Sequence, residues 1–458
     1  MHPAPTSLMQ PTQLNLQQQQ PLIPSSPSSS HAPPPALSRL PTTSILRTYL
    51  ITTLSSSPTL LNAIYTTLLK LLDSKSAFLS LERNPLLNWI LKSTFYAQFC
   101  AGETPAEIRA NTALARSELG YDGIILEYAV EVLSAEGKQT EAEIQRDVES
   151  WKKGMLDTIS LARDGDFVGL KWSGLGPHAL TLLQSYLPPT PLITSALHTV
   201  CTAAAAKHIS LLPGAEESAT NPGLEAWTLD LQRKYNTRER GYAVVYTTYQ
   251  CYFRNAPERV AMLLHAAKKD GFIAGVKLVR GAYLGSEGRE KVWGSKEETD
   301  RCYDECAEAV IRGRWTQGIQ APEGEKGQVG FPDRDIILAT HNRTSLLRGV
   351  ELRRELQLST PSATSSTNPA PARTPRITYA QLQGMADEIS QELVTHPDVK
   401  LDTQARVVKL FAFGTLRECM NFLVRRAVEN KEAGMRTEET RKAMGVELRR
   451  RVRGLIGM

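Results

Sequence analysis

The sequence predicts an α/β protein: a closed (β/α)8, TIM-like barrel preceded by an N-terminal helical segment. Three observations carry that reading. From residue 124 onward, eight short apolar runs with strand character alternate with segments of helical periodicity. No Gly-rich GxGxxG turn follows the first run, and a doubly wound open sheet, the alternative topology, would want one. The length of 458 residues is ample for one large barrel with additions.

Residues 1–43 are rich in Pro, Ser and Gln, including the run Gln17 to Gln20 and the triplet Pro33-Pro34-Pro35. Such a leader buries too little apolar surface to offset its ordering entropy, so disorder is expected. The first acidic residue of the chain is Asp73. An acid-free, Ser-rich start carrying Arg39 and Arg47 is compatible with a mitochondrial transit segment. Residues 44–115 read as helical. Leu60 to Leu72 is apolar at helical spacing, Asn84-Pro85 marks a break, and Thr104-Pro105-Ala106-Glu107 has the form of a helix start. Thr48 to Leu69 lacks charge, but Ser, Thr and Pro interrupt it. A packed helix, or one lying on a membrane surface, fits better than a span.

The barrel is expected over 116–458. Its strands are Ile124 to Tyr128, Val168 to Trp172, Ile209 to Leu212, Val244 to Thr247, Val276 to Val279, Ile336 to Ala339, Tyr379 to Leu382 and Val407 to Phe411. Helices are expected at 140–162, 178–187, 223–234, 256–269, 297–312, 344–356, 384–395 and 416–430. Gln317 to Gly330 and a flexible insert at 359–375 interrupt the alternation. Each precedes a strand, which places it on the face opposite the chemistry.

Apolar content of 41% and charged content of 22% are ordinary for a soluble globular protein, and a net charge of +5 is too small to argue for a nucleic-acid partner. The late basic run around Arg449, Arg450 and Arg451 reads as a solvated helix face. Six cysteines lie scattered, none as CxxC. Cys302 and Cys306 share a helix face, but no histidine or second pair stands at ligand spacing nearby. Reduced thiols without a metal site are expected.

Chemistry in such a barrel gathers at the C-terminal ends of the strands. Those positions hold Lys171; Gly214, Ala215 and Glu216; Tyr249 and Gln250; Arg280 and Tyr283; Thr340, His341 and Asn342; and Gly384 and Met385. A short loop, Phe413 to Thr415, leads into a helix bearing Arg425, Arg426, Glu429 and Asn430. The set is rich in cations and amides and poor in paired carboxylates, which argues against glycoside hydrolysis. One histidine without a second ligand argues against a metal hydrolase, and no Ser-His-Asp set can be assembled. What remains is a site for an anion and a polar planar body. Neighbouring guanidinium groups at Arg425 and Arg426 can grip a carboxylate through forked hydrogen bonds, and Glu429 can fix either one. An ordinary solvated helix face is the alternative for that pair.

With these residues in hand, the chain resembles the proline dehydrogenase family, the flavin-dependent enzymes of proline breakdown, in their fungal mitochondrial form. The matching stretches run in order: Val168-Gly-Leu-Lys171, Thr248-Tyr-Gln-Cys-Tyr252, Val276-Lys-Leu-Val-Arg-Gly-Ala-Tyr283, Ala339-Thr-His-Asn342, Gln381-Leu-Gln-Gly-Met385 and Phe422-Leu-Val-Arg-Arg-Ala-Val-Glu-Asn430. The resemblance spans roughly residues 44 to 458. It implies a distorted (β/α)8 barrel holding FAD at the strand C-termini. It implies flavin contacts at Gln250, Lys277, Arg280, Thr340, His341, Asn342, Gln381 and Glu429, with the backbone of Gly281 and Ala282 against the ring system. Arg425 and Arg426 resemble the pair that binds the proline carboxylate, Tyr283 and Leu382 the pocket walls, and Lys171 the active-site lysine. The implied reaction passes a hydride from L-proline to flavin N5, giving 1-pyrroline-5-carboxylate, with electrons handed on to a quinone. A mitochondrial location, with peripheral association to the inner membrane, is implied as well.

Three positions depart from the family pattern. Gly214 stands where an Asp is usual, and Leu410 and Phe422 stand where tyrosines are usual. The expectation is a Lys171 without its neutralising carboxylate unless another group replaces it, and a more apolar pocket. Weak activity, a related cyclic amine such as hydroxyproline, or a flavin- or proline-binding regulator are the alternatives this raises.

Overall fold

Eight parallel strands line up along the chain as β1 Gly123–Tyr128, β2 Phe167–Leu170, β3 Ser210–Pro213, β4 Thr247–Gln250, β5 Ala274–Val279, β6 Arg334–Ala339, β7 Ile377–Leu382 and β8 Ala405–Phe413. In this computed structural model their spatial order is β3-β2-β1-β8-β7-β6-β5-β4. The first strand pairs with the last, Gly123 opposite Val408 and Tyr128 opposite Phe413. The circle closes where Leu211 of β3 bridges Val245, just ahead of β4. Residues 35–74, 76, 81, 83–129, 139–323, 330–359, 373–429 and 434–456 are described, without the side chains at 58, 73, 425–429 and 434–437. Residues 1–34 of the expected leader and 360–372 of the expected insert therefore lie outside the described residues.

All eight expected strands form, but β4 starts at Thr247, three places beyond the expected Val244. The reason is a pair of buried amides. Asn236 Oδ1 accepts from the backbone N–H groups of Val244 and Val245, both at 2.8 Å. Its Nδ2 donates to the carbonyls of Val245 at 2.8 Å and Ile273 at 2.9 Å. Gln232, one helical turn earlier, accepts from Gly275 N at 2.9 Å and donates to Thr247 Oγ1 at 2.8 Å. Side chains thus replace ladder partners for an apolar stretch that has strand composition and no regular strand pairing. Gly275 is needed there, because a Cβ would strike the Val245 carbonyl.

The expected helices between strands form, with one long addition and a short one at Pro397–Leu401. Pro191–Ala206 makes the crossover from β2 to β3, beyond the shorter helix Pro177–Gln184 that the periodicity marks. Its run of small apolar residues hides the period, since Ile193, Leu197, Val200, Cys201 and Ala204 are all buried. The cap was the readable signal: Thr190 Oγ1 accepts from Ile193 N, and Pro191 opens the helix. At Thr104 the expected start forms a full capping box with Glu107. Asn84-Pro85 proves to be a start as well, with Asn84 Oδ1 accepting from Leu87 N at 3.0 Å.

Packed structure begins before residue 43. Leu37 and Leu40 are buried with Ile45 and Met444, and Arg451 of the last helix, Gly434–Leu455, donates to the Leu40 carbonyl at 2.7 Å. The N-terminal segment then runs over one side of the barrel mouth. Ala101 N donates to the Ala412 carbonyl of β8 at 2.8 Å, Tyr96 Oη to the Gly414 carbonyl at 2.7 Å, and Gln98 Nε2 to the Gly384 carbonyl at 3.2 Å. Leu72, Leu91 and Tyr96 pack with Cys419, Met420 and Phe422 of the helix Leu416–Glu429. Among the described residues, no helix is long and apolar enough to cross a membrane.

The amide pin at the seam is testable. Asn236→Ala strips buried N–H and C=O groups of their partners, so stability should fall by about 3 kcal/mol or more. A urea unfolding midpoint equal to that of the wild type would show that the seam closes without it.

Candidate active site

Strand parity selects what faces the lumen. Ile125, Phe167, Leu212, Tyr246, Ile273, Ile337, Ala380 and Val408 form one buried cluster inside the barrel. Alternate residues of a strand share a face, so Glu127, Gly169, Lys171, Gly214, Gln250, Lys277, His341, Leu382 and Leu410 continue that face toward the strand C-termini. Five of the residues expected at the site, Lys171, Gln250, Lys277, His341 and Leu382, therefore fall on one surface.

Lys171 is matched there by a partner that the motif comparison did not supply. Its Nζ lies 3.4 Å from Glu127 Oε1, with both side chains under a fifth exposed. It also lies 4.9 Å from the centroid of the Phe422 ring. Glu127 reaches this place from β1 because β2 carries glycine opposite, where a Cβ at Gly169 would meet the Glu127 side chain. The replacement that the expectation left open is therefore Glu127. The acid absent at 214 is supplied from the strand on the other side of β2. Lys277 shares the same counter-charge. Burial draws its pKa below the usual lysine value, and Glu127 opposes that shift.

The rim from β3 to β6 is tied by hydrogen bonds. Arg280 donates from Nε to Asp300 Oδ1 at 2.5 Å, from one terminal nitrogen to Thr340 Oγ1 at 2.6 Å and from the other to Ser345 Oγ at 2.9 Å. Its guanidinium lies over the Tyr303 ring, 4.4 Å from the centroid. Burial would raise the Asp300 carboxyl, but hydrogen bonds from Lys296 and Arg280 outweigh it and hold the group below the usual range. Asn342 donates to the other Asp300 oxygen at 3.3 Å. Arg280, Thr340 and Asn342 thus form one rigid knot, and the first duty of Arg280 is to position the loop after β6. Tyr283 donates to Glu216 Oε2 at 2.7 Å, and Gln250 Oε1 accepts from Asn221 Nδ2 at 3.2 Å. Gly281 has φ +140°, and a side chain there would run into the Tyr252 ring, so the turn presents bare backbone.

The β7–β8 side has the opposite character. An apolar cavity of about 240 Å³ is bordered by His341, Leu382, Leu410 and Phe422, and by Thr48 and Phe99 of the N-terminal segment. His341 Nε2 accepts from the backbone N–H of Leu382 at 3.2 Å, which puts the proton of the neutral ring on Nδ1. Lys409, fully buried, pairs with Asp387 at 2.8 Å and donates to the Leu382 and Met385 carbonyls, so it fixes the turn carrying Leu382 from outside the lumen. Gln381 faces outward, accepts from Ser390 Oγ at 2.9 Å and belongs to the layer between barrel and helix. Phe422 places the helix Leu416–Glu429 across the end of β2. The side chains of Arg425, Arg426 and Glu429 on that helix lie outside the described residues.

Sequence reasoning missed Glu127, Asn221, Asp300 and Ser345. Glu127 was open to detection as the one charge in an apolar first strand. The other three sit on helices after the strands, where their charge or polarity reads as surface.

These features define a (β/α)8-barrel protein with a cation-bearing ligand site at its strand C-termini. A family model for proline dehydrogenase matches residues 111–439, and the chain belongs to that family. The probable mitochondrial proline dehydrogenase of Schizosaccharomyces pombe is 32% identical over 260 residues, 55% of this chain and 49% of that protein. The hydroxyproline dehydrogenase of Mus musculus is 30% identical over 268 residues, 57% of this chain and 52% of that one. The chain thus spans about half the length of these two relatives. The crystal structure of proline utilization A from Bdellovibrio bacteriovorus, inactivated by N-propargylglycine, matches with a TM-score of 0.62 at 17% identity, over 86% of this chain and 41% of that one. That likeness supports the barrel.

Glu127 favours the charged form of Lys277, so its removal has a defined sign. In Glu127→Gln the alkaline limb of the kcat/KM profile should move to lower pH, with a loss of ~10-fold, one 1.4 kcal/mol step, at neutral pH. An unmoved alkaline limb would separate Glu127 from the chemistry.

Proposed function

We propose that the chain is an FAD-dependent dehydrogenase that oxidises L-proline to 1-pyrroline-5-carboxylate. The observation that carries this reading is the lumenal set of Lys171, Lys277 and Glu127 beside an apolar pocket, in a chain of the proline dehydrogenase family. Two lysines and one carboxylate leave a positive excess suited to an anionic, electron-rich ligand. The donor set fits a flavin: Lys277 and Gln250 face the lumen, His341 and Thr340 stand on the rim, and the turn at Gly281 offers backbone without a side chain. When bound, the flavin supplies the two-electron acceptor.

The chain's own residues do the rest. Arg425 and Arg426 are the proposed clamp for the substrate carboxylate, braced by Glu429. Leu382, Leu410 and Phe422 pack the ring and exclude water, and Tyr283, held by Glu216, closes the polar side. Lys171, kept charged and fixed by Glu127 and Phe422, disfavours the protonated form of a nearby amine, which is the form that cannot react. No acid–base relay is then needed, and positioning carries most of the effect.

A second substrate has a specific observation behind it. The pocket lacks hydroxyls at Leu410 and Phe422, and relatives named hydroxyproline dehydrogenase match as well as several named for proline. A quinone acceptor and a mitochondrial site are inferred from the family and from relatives named mitochondrial. A peripheral seat on the inner membrane is supported by Leu46, Leu50 and Leu54, exposed at helical spacing, and by exposed Leu86 and Trp89. If liposome flotation leaves the chain wholly in the soluble fraction, that seat is lost.

The central test is anaerobic titration of the flavin-loaded protein. L-proline should bleach the oxidised flavin band. Arg426→Met should raise KM by ~100-fold, the loss of two charge-assisted hydrogen bonds of about 1.5 kcal/mol each. Bleaching by 4-hydroxyproline alone would select the second substrate. A yellow protein unmoved by either compound would point to a binding role.

A further inference from the structure

The fold gathers three thiols that the sequence keeps apart. Cys251 follows Gln250 at the end of β4, while Cys302 and Cys306 stand one turn apart on the helix Lys296–Arg312. Their sulfurs lie within 4.8 Å of one another, and all three residues are buried. The sequence reading, which saw the helical pair and expected no metal site, had no means of adding Cys251.

Three sulfurs at this spacing have a definite coordination chemistry. A metal–sulfur bond of about 2.3 Å in a trigonal plane needs sulfurs about 4.0 Å apart, 2.3 times the square root of three. The cluster can reach that by a contraction of less than about 1 Å, within ordinary side-chain adjustment. Among the described residues no fourth Cys, His or carboxylate joins the group. That disfavours zinc, which takes four ligands in closed structural sites, and favours a soft cation content with three thiolates. The surroundings also suit one. The indole N–H of Trp293 is buried without a conventional acceptor and interacts with Cys302, as a donor steadying a ligand sulfur would. Cys302 keeps 3% exposure while Cys251 and Cys306 have none, so entry is through Cys302.

We propose that Cys251, Cys302 and Cys306 form a three-thiolate site for one soft monovalent d10 cation of the cuprous class. Occupancy would tie the end of β4 to the helix whose Asp300 holds Arg280, and so brace one wall of the mouth. The ion would be structural, and no electron passes through it. The proposal is independent of the reaction assigned above.

The test uses the full chain, reduced and anaerobic, titrated with cuprous ion from its coloured bicinchoninate complex. One equivalent per chain should be withdrawn, and the melting temperature should rise. The first equivalent should bind at least ~100-fold more weakly in Cys302→Ser and in Cys306→Ala, whose apolar replacement suits a buried position. Cys100→Ser is the control, because Cys100 and Cys419 make a separate buried thiol pair, and it should keep the first equivalent. Failure to withdraw copper, retention of full affinity in both cluster variants, or loss of the first equivalent in Cys100→Ser would each overturn the proposal.

Discussion

A charge placed inside a barrel has to be answered from inside the barrel, and Glu127 is that answer. Water cannot solvate the heads of Lys171 and Lys277 freely, and burial works against the charged form of Lys277. At 3.4 Å the Glu127–Lys171 attraction is roughly 5 kcal/mol at an effective dielectric of 20, comparable to the several kcal/mol of desolvation that it offsets. The pair is therefore close to neutral for folding, and its value is in where it holds charge. One carboxylate facing two lysines leaves the lumen positive, the charge that the proposed ligand, with its delocalised negative edge, would complete.

Read this way, the unusual residues of the pocket are connected. Gly214 leaves the end of β3 without an acid, and the acid on β1 depends on Gly169 to clear its path. Phe422 offers Lys171 an aromatic face where a tyrosine would have offered a face and a hydroxyl. Leu410 completes an apolar wall with Leu382. A carboxylate relocated across β2 keeps the electrostatics of the mouth while the shape on the β3 side opens. Under the proposed function, that combination bears on which ring fits more than on whether a ring is held.

Much of this was legible in the sequence, for physical reasons that differ by element. Strands buried on both faces appear as apolar runs, and capping residues mark helix starts, so β1, β5 and the helix opened by Thr104 could be read directly. The start of β4 could not be read, because Gln232 on the preceding helix and Asn236 just past its end satisfy the backbone of residues that have strand composition. Helix Pro191–Ala206 hid behind its own small apolar residues. In the site, Lys171, Lys277, His341 and Leu382 fall on the lumenal parity; Lys171 and His341 were marked by position at strand ends, Lys277 and Leu382 only by the family resemblance. Glu127 required knowing that β1 and β2 are neighbours, and Cys251 required knowing that the helix Lys296–Arg312, which packs on β5 and β6, reaches the turn after β4. Both are facts of register, and no local window holds them.

The two halves of the mouth differ, and the difference orients whatever binds. From β3 to β6 the rim is polar and cross-braced: Ser286 donates to Glu217, Lys291 to Ser218, and Arg280 to Asp300, Thr340 and Ser345. Those bonds fix loops that would otherwise be the mobile parts of a barrel. At β7 and β8 the rim is apolar and is roofed by the N-terminal segment through Tyr96, Gln98 and Ala101. A flat ligand with a polar edge gains most by turning that edge to the braced side, where preformed donors need no reorganisation. A small apolar ring then has only the β7–β8 side left to it, under Phe422 and against Leu382. The N-terminal helices are thus part of the proposed site, since without them the apolar face at β7 and β8 would open to water.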